Sequence, residues 1–85
     1  PIFEPYPVPF EDVINIRYKF DYKSDVSIQL FDAKGSLLML DRDSNPFYNK
    51  EVSIRPAFNR GRGQLFFIKV MTNRGMSIKK VLSGN

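Results

Sequence analysis

The chain has 85 residues, 42% of them hydrophobic and 26% charged, and this length allows a single domain. It contains no cysteine and no histidine, which excludes disulfide bonds, Cys/His zinc sites, thiol nucleophiles and His-based triads. No apolar run approaches the roughly 20 residues of a membrane-spanning helix. No signal peptide is present, and a chain that starts at Pro1 is expected to be a piece of a longer protein.

The net charge of +4 is unevenly distributed along the chain. Residues 1–43 hold five basic and eight acidic residues, whereas residues 44–85 hold eight basic residues and only Glu51. This asymmetry predicts an anionic partner for the C-terminal half. A basic surface that serves only solubility is the alternative interpretation.

The first nine residues, PIFEPYPVP, contain four prolines. Proline fixes φ and removes a backbone donor, so residues 1–9 are predicted to be an extended linker or lead-in. Regular structure is expected only after it, in a domain of residues 10–85.

Short runs with alternating apolar residues follow, which predict β-strands. In Val13–Phe20 the alternation starts at Ile14 and places Tyr18 and Phe20 on the same face. No stretch has the 3.6-residue apolar period of a helix, and turn signals recur every 8–12 residues. The pattern predicts an all-β fold, an antiparallel β-sandwich of about seven short strands. The further predicted strands are Val26–Phe31, Ser36–Leu40, Glu51–Arg55, Leu65–Met71 and Met76–Leu82.

Two turns have the same format, with a glycine in fourth position. In the first turn, Asp32 and Gly35 predict a type I turn with a glycine bulge. A three-residue loop would pair Asp32 with Ser36, and the apolar faces would coincide in that register. The predicted cross-strand pairs are then Leu30 with Leu38 and Ile28 with Leu40.

The second turn, Thr72-Asn73-Arg74-Gly75, would pair Thr72 with Met76 by the same geometry, with Asn73 and Gly75 as its turn residues. Lys69 would then lie directly opposite Lys79, which is destabilising. In the same register Val70 faces Ile78, and Ile68 faces Lys80. Two interpretations remain open: the lysines protect an edge strand from pairing with other chains, or the hairpin presents a basic and apolar surface to a partner.

Four segments resemble the C-terminal sorting domain of proteins exported by the type IX secretion system of Gram-negative bacteria. YPVPFEDVINI, with Tyr6, Pro7, Pro9 and Phe10, resembles its opening Tyr-Pro-Asn-Pro-Phe motif and first strand. VSIQLFDAKGSLL resembles its strand–Asp-x-x-Gly–strand hairpin, and GQLFFIKV its Gly-x-Tyr-Phe-Val-Lys-Val strand. RGMSIKKVL resembles its last glycine-led strand with a Lys-Val pair. The four segments occur in the family's order and cover nearly the whole chain.

The resemblance implies an Ig-like β-sandwich that acts as a non-enzymatic secretion signal without cofactors or metals. Such a domain follows a cargo domain and directs it across the outer membrane, to the cell surface or the medium. Its implied partners are an outer-membrane barrel shuttle protein, the translocon and a sortase-like peptidase that commonly removes the domain. No nucleic acid and no embedded membrane segment are implied. The residues expected to contact the translocon or shuttle are Lys69, Gly75, Lys79, Lys80, Val81 and Leu82.

Other functions have weaker support in the sequence. Scattered acidic residues do not predict an active site, and Asp41-x-Asp43-x-Asn45 lacks the glycine and distal glutamate of a calcium loop. The basic loop around Arg60 and Arg62 would suit single-stranded nucleic acid. An adhesion or carbohydrate-binding sandwich is the other alternative, with exposed aromatic residues as its candidates. These aromatic residues are Tyr6, Phe47 and Tyr48.

Overall fold

The computed structural model describes residues 1–57 and 61–84, and this part of the chain forms β-strands and no helix. The all-β prediction is therefore confirmed. The strands are β1 Phe3–Tyr6, β2 Ile14–Tyr18, β3 Val26–Asp32, β4 Leu37–Asp43, β5 Glu51–Ile54, β6 Leu65–Thr72 and β7 Gly75–Leu82.

The strands form two antiparallel sheets that pack face to face, as in an Ig-like sandwich. The three-stranded sheet has the order β1-β2-β5, and the four-stranded sheet has the order β4-β3-β6-β7. Buried and half-buried residues alternate through β2, through residues 26–30 of β3 and through residues 65–70 of β6, which places every second side chain between the sheets. The buried apolar residues of the described chain are Phe3, Phe10, Ile14, Ile16, Tyr18, Phe20, Val26, Ile28, Leu30, Ile54, Phe66, Ile68, Val70 and Val81.

The start of the chain is part of the sandwich. Phe3 is fully buried, and β1 pairs with β2 from Phe3 opposite Tyr18 to Tyr6 opposite Asn15. The expectation that regular structure begins only after the ninth residue is therefore wrong. The physical reason is that β1 lies at the edge of its sheet, where a proline such as Pro5 is tolerated because one side of the backbone needs no ladder partner.

The first hairpin has the predicted loop but a different register. The Asp32 N–H donates to the Ser36 carbonyl (3.0 Å), and Gly35 has φ +89°. Beyond Phe31 opposite Leu37, a β-bulge shifts the pairing by one residue. The predicted pairs Leu30 with Leu38 and Ile28 with Leu40 are therefore wrong. The observed partners are Met39 for Leu30, Asp41 for Ile28 and Leu40 for Gln29.

The second hairpin closes with two loop residues rather than three. Thr72 pairs directly with Gly75, whose φ of +122° favours glycine. The shorter loop changes the register by one residue, which moves every β7 side chain to the opposite face from the predicted one. Lys69 therefore faces Ile78 instead of Lys79, and the predicted like-charge conflict does not exist. The observed partners of Val70, Ile68 and Phe67 are Ser77, Lys79 and Lys80.

Candidate recognition surface

The side of the four-stranded sheet that points away from the core is the main candidate surface, and we call it the outer face. Cross-strand partners share a face of a sheet, so the register defines its members. One row crosses all four strands through Leu40, Gln29, Lys69 and Ile78. The outer face consists of Ser27, Gln29, Phe31, Leu37, Leu40, Arg42, Leu65, Phe67, Lys69, Met71, Met76, Ile78, Lys80 and Leu82.

The outer face is unusually apolar for a surface in contact with solvent. Its apolar side chains have exposed fractions of up to 56%. In an antiparallel sandwich the solvent side of a sheet usually carries polar residues, because only the other side packs on the core. The four-stranded sheet is instead apolar on both sides. Its most exposed apolar residues are Leu37, Leu40, Met71, Met76, Ile78 and Leu82.

All charged side chains of the outer face are positive. They are Arg42, Lys69 and Lys80, and no aspartate or glutamate shares the face with them. Lys69 and Lys80 are diagonal neighbours on adjacent strands, since Lys69 faces Ile78. Within residues 1–57 and 61–84, none of the three forms a salt bridge. The face therefore combines apolar area with positive charge that no carboxylate balances.

The solvent side of the three-stranded sheet has the opposite character. Glu4, Arg17 and Glu51 form one row across β1, β2 and β5, and Arg17 hydrogen-bonds Glu51. The Arg17 guanidinium also donates to the Tyr6 hydroxyl (3.2 Å), and Lys19 lies 3.4 Å from Glu4. Hydrogen bonding with Tyr6 and with Arg17 lowers the pKa of Glu51. This side is polar, and its charges compensate one another.

The predicted contact residues of the last hairpin are divided between the two faces of the sheet. Lys69, Lys80 and Leu82 lie on the outer face. Val81 faces Phe66 in the core with 1% exposure, so the folded domain does not present its side chain, and its role as a contact residue stays a prediction. Lys79 is exposed on the edge strand, and its Nζ lies 6.0 Å from the ring centroid of Phe3. Gly75 lies in the turn.

The end of β7 is held in place by the predicted lead-in motif. The Phe10 N–H donates to the carbonyl of Leu82 (2.8 Å), and the Gly84 N–H donates to the carbonyl of Phe10 (2.6 Å). Phe10 is fully buried, and its ring meets that of Phe66 edge-on at a centroid distance of 5.7 Å. Tyr6, Pro7 and Pro9 precede this contact, so the motif and the last strand form one structural unit.

A buried serine completes this attachment. Ser83 is 1% exposed, its Oγ donates to the carbonyl of Gly61 (2.7 Å), and it accepts a hydrogen bond from the Gln64 N–H (2.9 Å). Its backbone N–H also donates to the carbonyl of Gln64 (2.9 Å). The C-terminal end of β7 is therefore tied to the loop that precedes β6.

Substitution Ser83→Ala is expected to lower the free energy of unfolding by about 1–2 kcal/mol, because it removes both hydrogen bonds of a buried hydroxyl, to the Gly61 carbonyl and from the Gln64 N–H. Urea unfolding followed by circular dichroism measures the change. Ser36→Ala, at an exposed position, is the matched control and should change stability by less than about 0.5 kcal/mol. Equal stability of Ser83→Ala and the unsubstituted chain would contradict the structural role of this hydroxyl.

The model of the family described as "secretion system C-terminal sorting domain" matches residues 4–83 of the chain. The chain belongs to this family. Its members are the sorting domains of type IX secretion, so the family resemblance inferred from the sequence is confirmed. No curated protein and no solved structure matches the chain.

The segments that resemble the family's motifs have defined places in the sorting domain. The opening motif supplies Phe10, and the final Lys-Val pair, Lys80 and Val81, places one side chain outside and one in the core. In the Asp41-x-Asp43-x-Asn45 segment, the Asp43 carboxylate accepts hydrogen bonds from Lys50 and Tyr18. The described residues contain no cluster of three or more acidic residues suited to a metal ion, and no helix that could cross a membrane.

The residues of the alternative functions are dispersed in the sorting domain. Tyr6 lies on β1, whereas Phe47 and Tyr48 lie in the β4–β5 loop, with exposed fractions of 55% and 54%. Lys50 and Lys19 approach these two rings, at 5.3 and 5.5 Å from the centroids. In the basic loop, Arg62 is exposed, and Arg60 lies outside the described residues.

Sequence reasoning missed the part of the outer face that β3 and β4 contribute. Phe31, Leu37, Leu40 and Arg42 were not predicted to belong to a recognition surface. A usable signal was present, since Ser36–Leu40 contains four consecutive apolar residues. Consecutive apolar residues in a strand place apolar side chains on both faces of the sheet. Such a run therefore indicates a second apolar surface.

Proposed function

We propose that this sorting domain is a non-catalytic C-terminal signal that directs an N-terminally fused cargo protein across the outer membrane through the type IX secretion system. Family membership over residues 4–83 is the observation that carries the proposal. The cargo would pass through the periplasm and be released or held at the cell surface. The partners are an outer-membrane barrel shuttle protein and the translocon, and a sortase-like peptidase would remove the domain after export.

The geometry of the last hairpin supports its role in recognition. Lys69, Lys80 and Leu82 are accessible on one surface, and Lys79 extends from the adjacent edge. The carbonyl of Pro1 accepts a hydrogen bond from the Ser77 hydroxyl on β7. A cargo fused to Pro1 would therefore join the domain beside β7, the edge strand of the last hairpin.

Export of a fused reporter tests the proposal. Residues 1–85 placed after a periplasmic reporter should bring the reporter into the medium or onto the surface of a strain that has the secretion system. Immunoblots of cell and medium fractions measure the distribution. The reporter without the domain, and the fusion in a strain without the translocon, should both remain in the periplasm.

Deletion of residues 79–85 from this fusion should abolish export, because it removes the second half of β7 together with Ser83. Retention of the intact fusion in the periplasm would overturn the proposed function. Export that survives the deletion would instead show that the last hairpin does not carry the signal.

A further inference from the structure

We propose that the whole outer face, including its β3 and β4 half, docks on a protein surface that is apolar and bears carboxylates. The inference rests on the proposed function, since the occupant is a component of the secretion machinery and its first candidate is the shuttle protein. It extends the recognised surface from the last hairpin to all four strands of the sheet.

The distribution of apolar side chains supports docking. Leu37 and Leu40 on β4 are 50% and 48% exposed, and Met76 and Ile78 on β7 are 56% and 53% exposed, at opposite edges of the same sheet. Half-buried Phe31 and Phe67 are cross-strand partners in the middle of the sheet. Exposed apolar side chains in this number on one face mark an interaction site, also where single polar side chains lie among them. These apolar side chains span the sheet and do not end at the hairpin.

Charge complementarity selects the occupant. Arg42, Lys69 and Lys80 lack carboxylate partners within the described chain, and the face itself has no acidic residue. Two copies of this face brought together would juxtapose like charges, which costs free energy. A partner with carboxylates at matching positions would balance them. The charges therefore favour a different, acidic partner over a second copy of the chain.

The position of the polar groups favours a protein over a lipid surface. Gln29 and half-buried Lys69 lie on the two central strands, within the row that Leu40 and Ile78 complete. An element that inserts into a membrane surface presents a continuous apolar area with cations on its polar side. A protein can instead offer carboxylate or carbonyl acceptors to an amide and an ammonium group at the centre of an interface.

The first experiment reverses charge on the outer face. We expect Lys69→Glu/Lys80→Glu to weaken binding of the purified domain to the shuttle protein in detergent by about tenfold or more, because both sites would repel the partner's carboxylates. Export of the reporter should fall in parallel. Lys23→Glu/Lys34→Glu makes the same change in net charge at exposed positions off the face and should change binding less than about twofold.

The second experiment tests the β4 half of the face. Leu40→Ser should weaken binding by about fivefold or more, as for an apolar residue inside an interface. Phe47→Ser should not, because Phe47 is at least as exposed as Leu40 but lies in a loop off the outer face. Ile78→Ser on β7 provides a second face variant. Urea unfolding of each variant confirms that the domain remains folded.

The outcomes separate this inference from the proposed function. If the unsubstituted fusion is exported and both classes of face variant bind and are exported normally, the inference is overturned while the proposed function stands. If the unsubstituted fusion is not exported, the proposed function fails. Binding to phosphatidylglycerol vesicles that depends on Lys69 and Lys80 would overturn the inference in favour of a lipid surface. A dimer in light scattering that Leu40→Ser dissociates would overturn it in favour of a second copy.

Discussion

Phe10→Ala is expected to lower the free energy of unfolding by about 3–5 kcal/mol, as large-to-small substitutions of buried aromatic residues do. Phe10 is fully buried, and the loss of its ring would leave a cavity beside Phe66. A domain of this size has a total stability of roughly 5–15 kcal/mol, so the substitution would remove a large part of it. Urea unfolding monitored by circular dichroism measures the change.

Phe47→Ala serves as the control, since Phe47 is 55% exposed and its removal should change stability by less than about 0.5 kcal/mol. Phe10→Ala should also reduce export of the reporter, because the loss of the buried ring removes the packing against Phe66 that holds the opening motif beside the end of β7. A Phe10→Ala domain as stable as the unsubstituted chain would contradict the role of the opening motif as part of the core.

Strand positions were predictable wherever one face of a strand is buried and the other is not. In β2, alternation places Ile14, Ile16 and Tyr18 between the sheets, and their neighbours are half-buried. β3 and β6 have the same period. Burial of one face stabilises these strands and requires apolar residues at every second position, so the alternation is visible in the sequence.

The position of β1 was not predictable from composition. Four prolines in nine residues suggest an extended linker, and local propensity contains no information that Phe3 fills a place opposite Tyr18. The burial of Phe3 outweighs the loss of backbone donors at the prolines, because an edge strand needs hydrogen bonds on one side only. Tertiary packing therefore decides that residues 3–6 form a strand, and local sequence preferences do not indicate it.

The registers of β4 and β7 were mispredicted because these strands carry apolar residues on both faces, which also makes the outer face apolar. Both strands have apolar residues on both sides: Met39 and Leu40 face opposite ways in β4, and Val81 and Leu82 do so in β7. With apolar residues at consecutive positions, a register shift of one residue still places apolar side chains on the core side of the strand. Hydrophobic alternation therefore cannot choose the register, and a bulge and a loop shorter by one residue decide it.

The Asp43 carboxylate is surrounded by hydrogen-bond donors. It accepts hydrogen bonds from Lys50 Nζ (2.9 Å) and from the Tyr18 hydroxyl (2.9 Å), and the Asn45 N–H also donates to it (3.1 Å). The side chains of Asp43 and Lys50 are only 11% and 23% exposed. Burial, and to a smaller extent the hydrogen bond to Asp43, raises the pKa of Tyr18. The Tyr18 hydroxyl therefore stays protonated and acts as a donor.

Asp43→Ala is therefore expected to lower the free energy of unfolding at pH 7 by about 2–3 kcal/mol. The buried Tyr18 hydroxyl would lose its acceptor, and the Lys50 ammonium would lose its carboxylate and keep only the Asn45 carbonyl (2.8 Å). Asp43→Asn retains an acceptor but not the charge, and should have a smaller effect. Asp41→Ala, at an exposed position of the same strand, is the control and should change stability by less than about 0.5 kcal/mol.

The contribution of Asp43 should depend on pH in a defined direction. Partial burial alone would raise its pKa, but the hydrogen bonds from Lys50, Asn45 and Tyr18 outweigh this and hold the pKa below the ordinary value of 3.8. A carboxyl with a lowered pKa in the folded state binds its proton more readily when unfolded, so its stabilisation is present above about pH 4 and lost as pH falls through the folded pKa. The stability difference between the unsubstituted domain and Asp43→Ala should therefore be constant from pH 7 to 5 and become smaller below pH 4. A difference that stays constant into that acidic range would show that the side chain stabilises the domain by packing rather than by its charge.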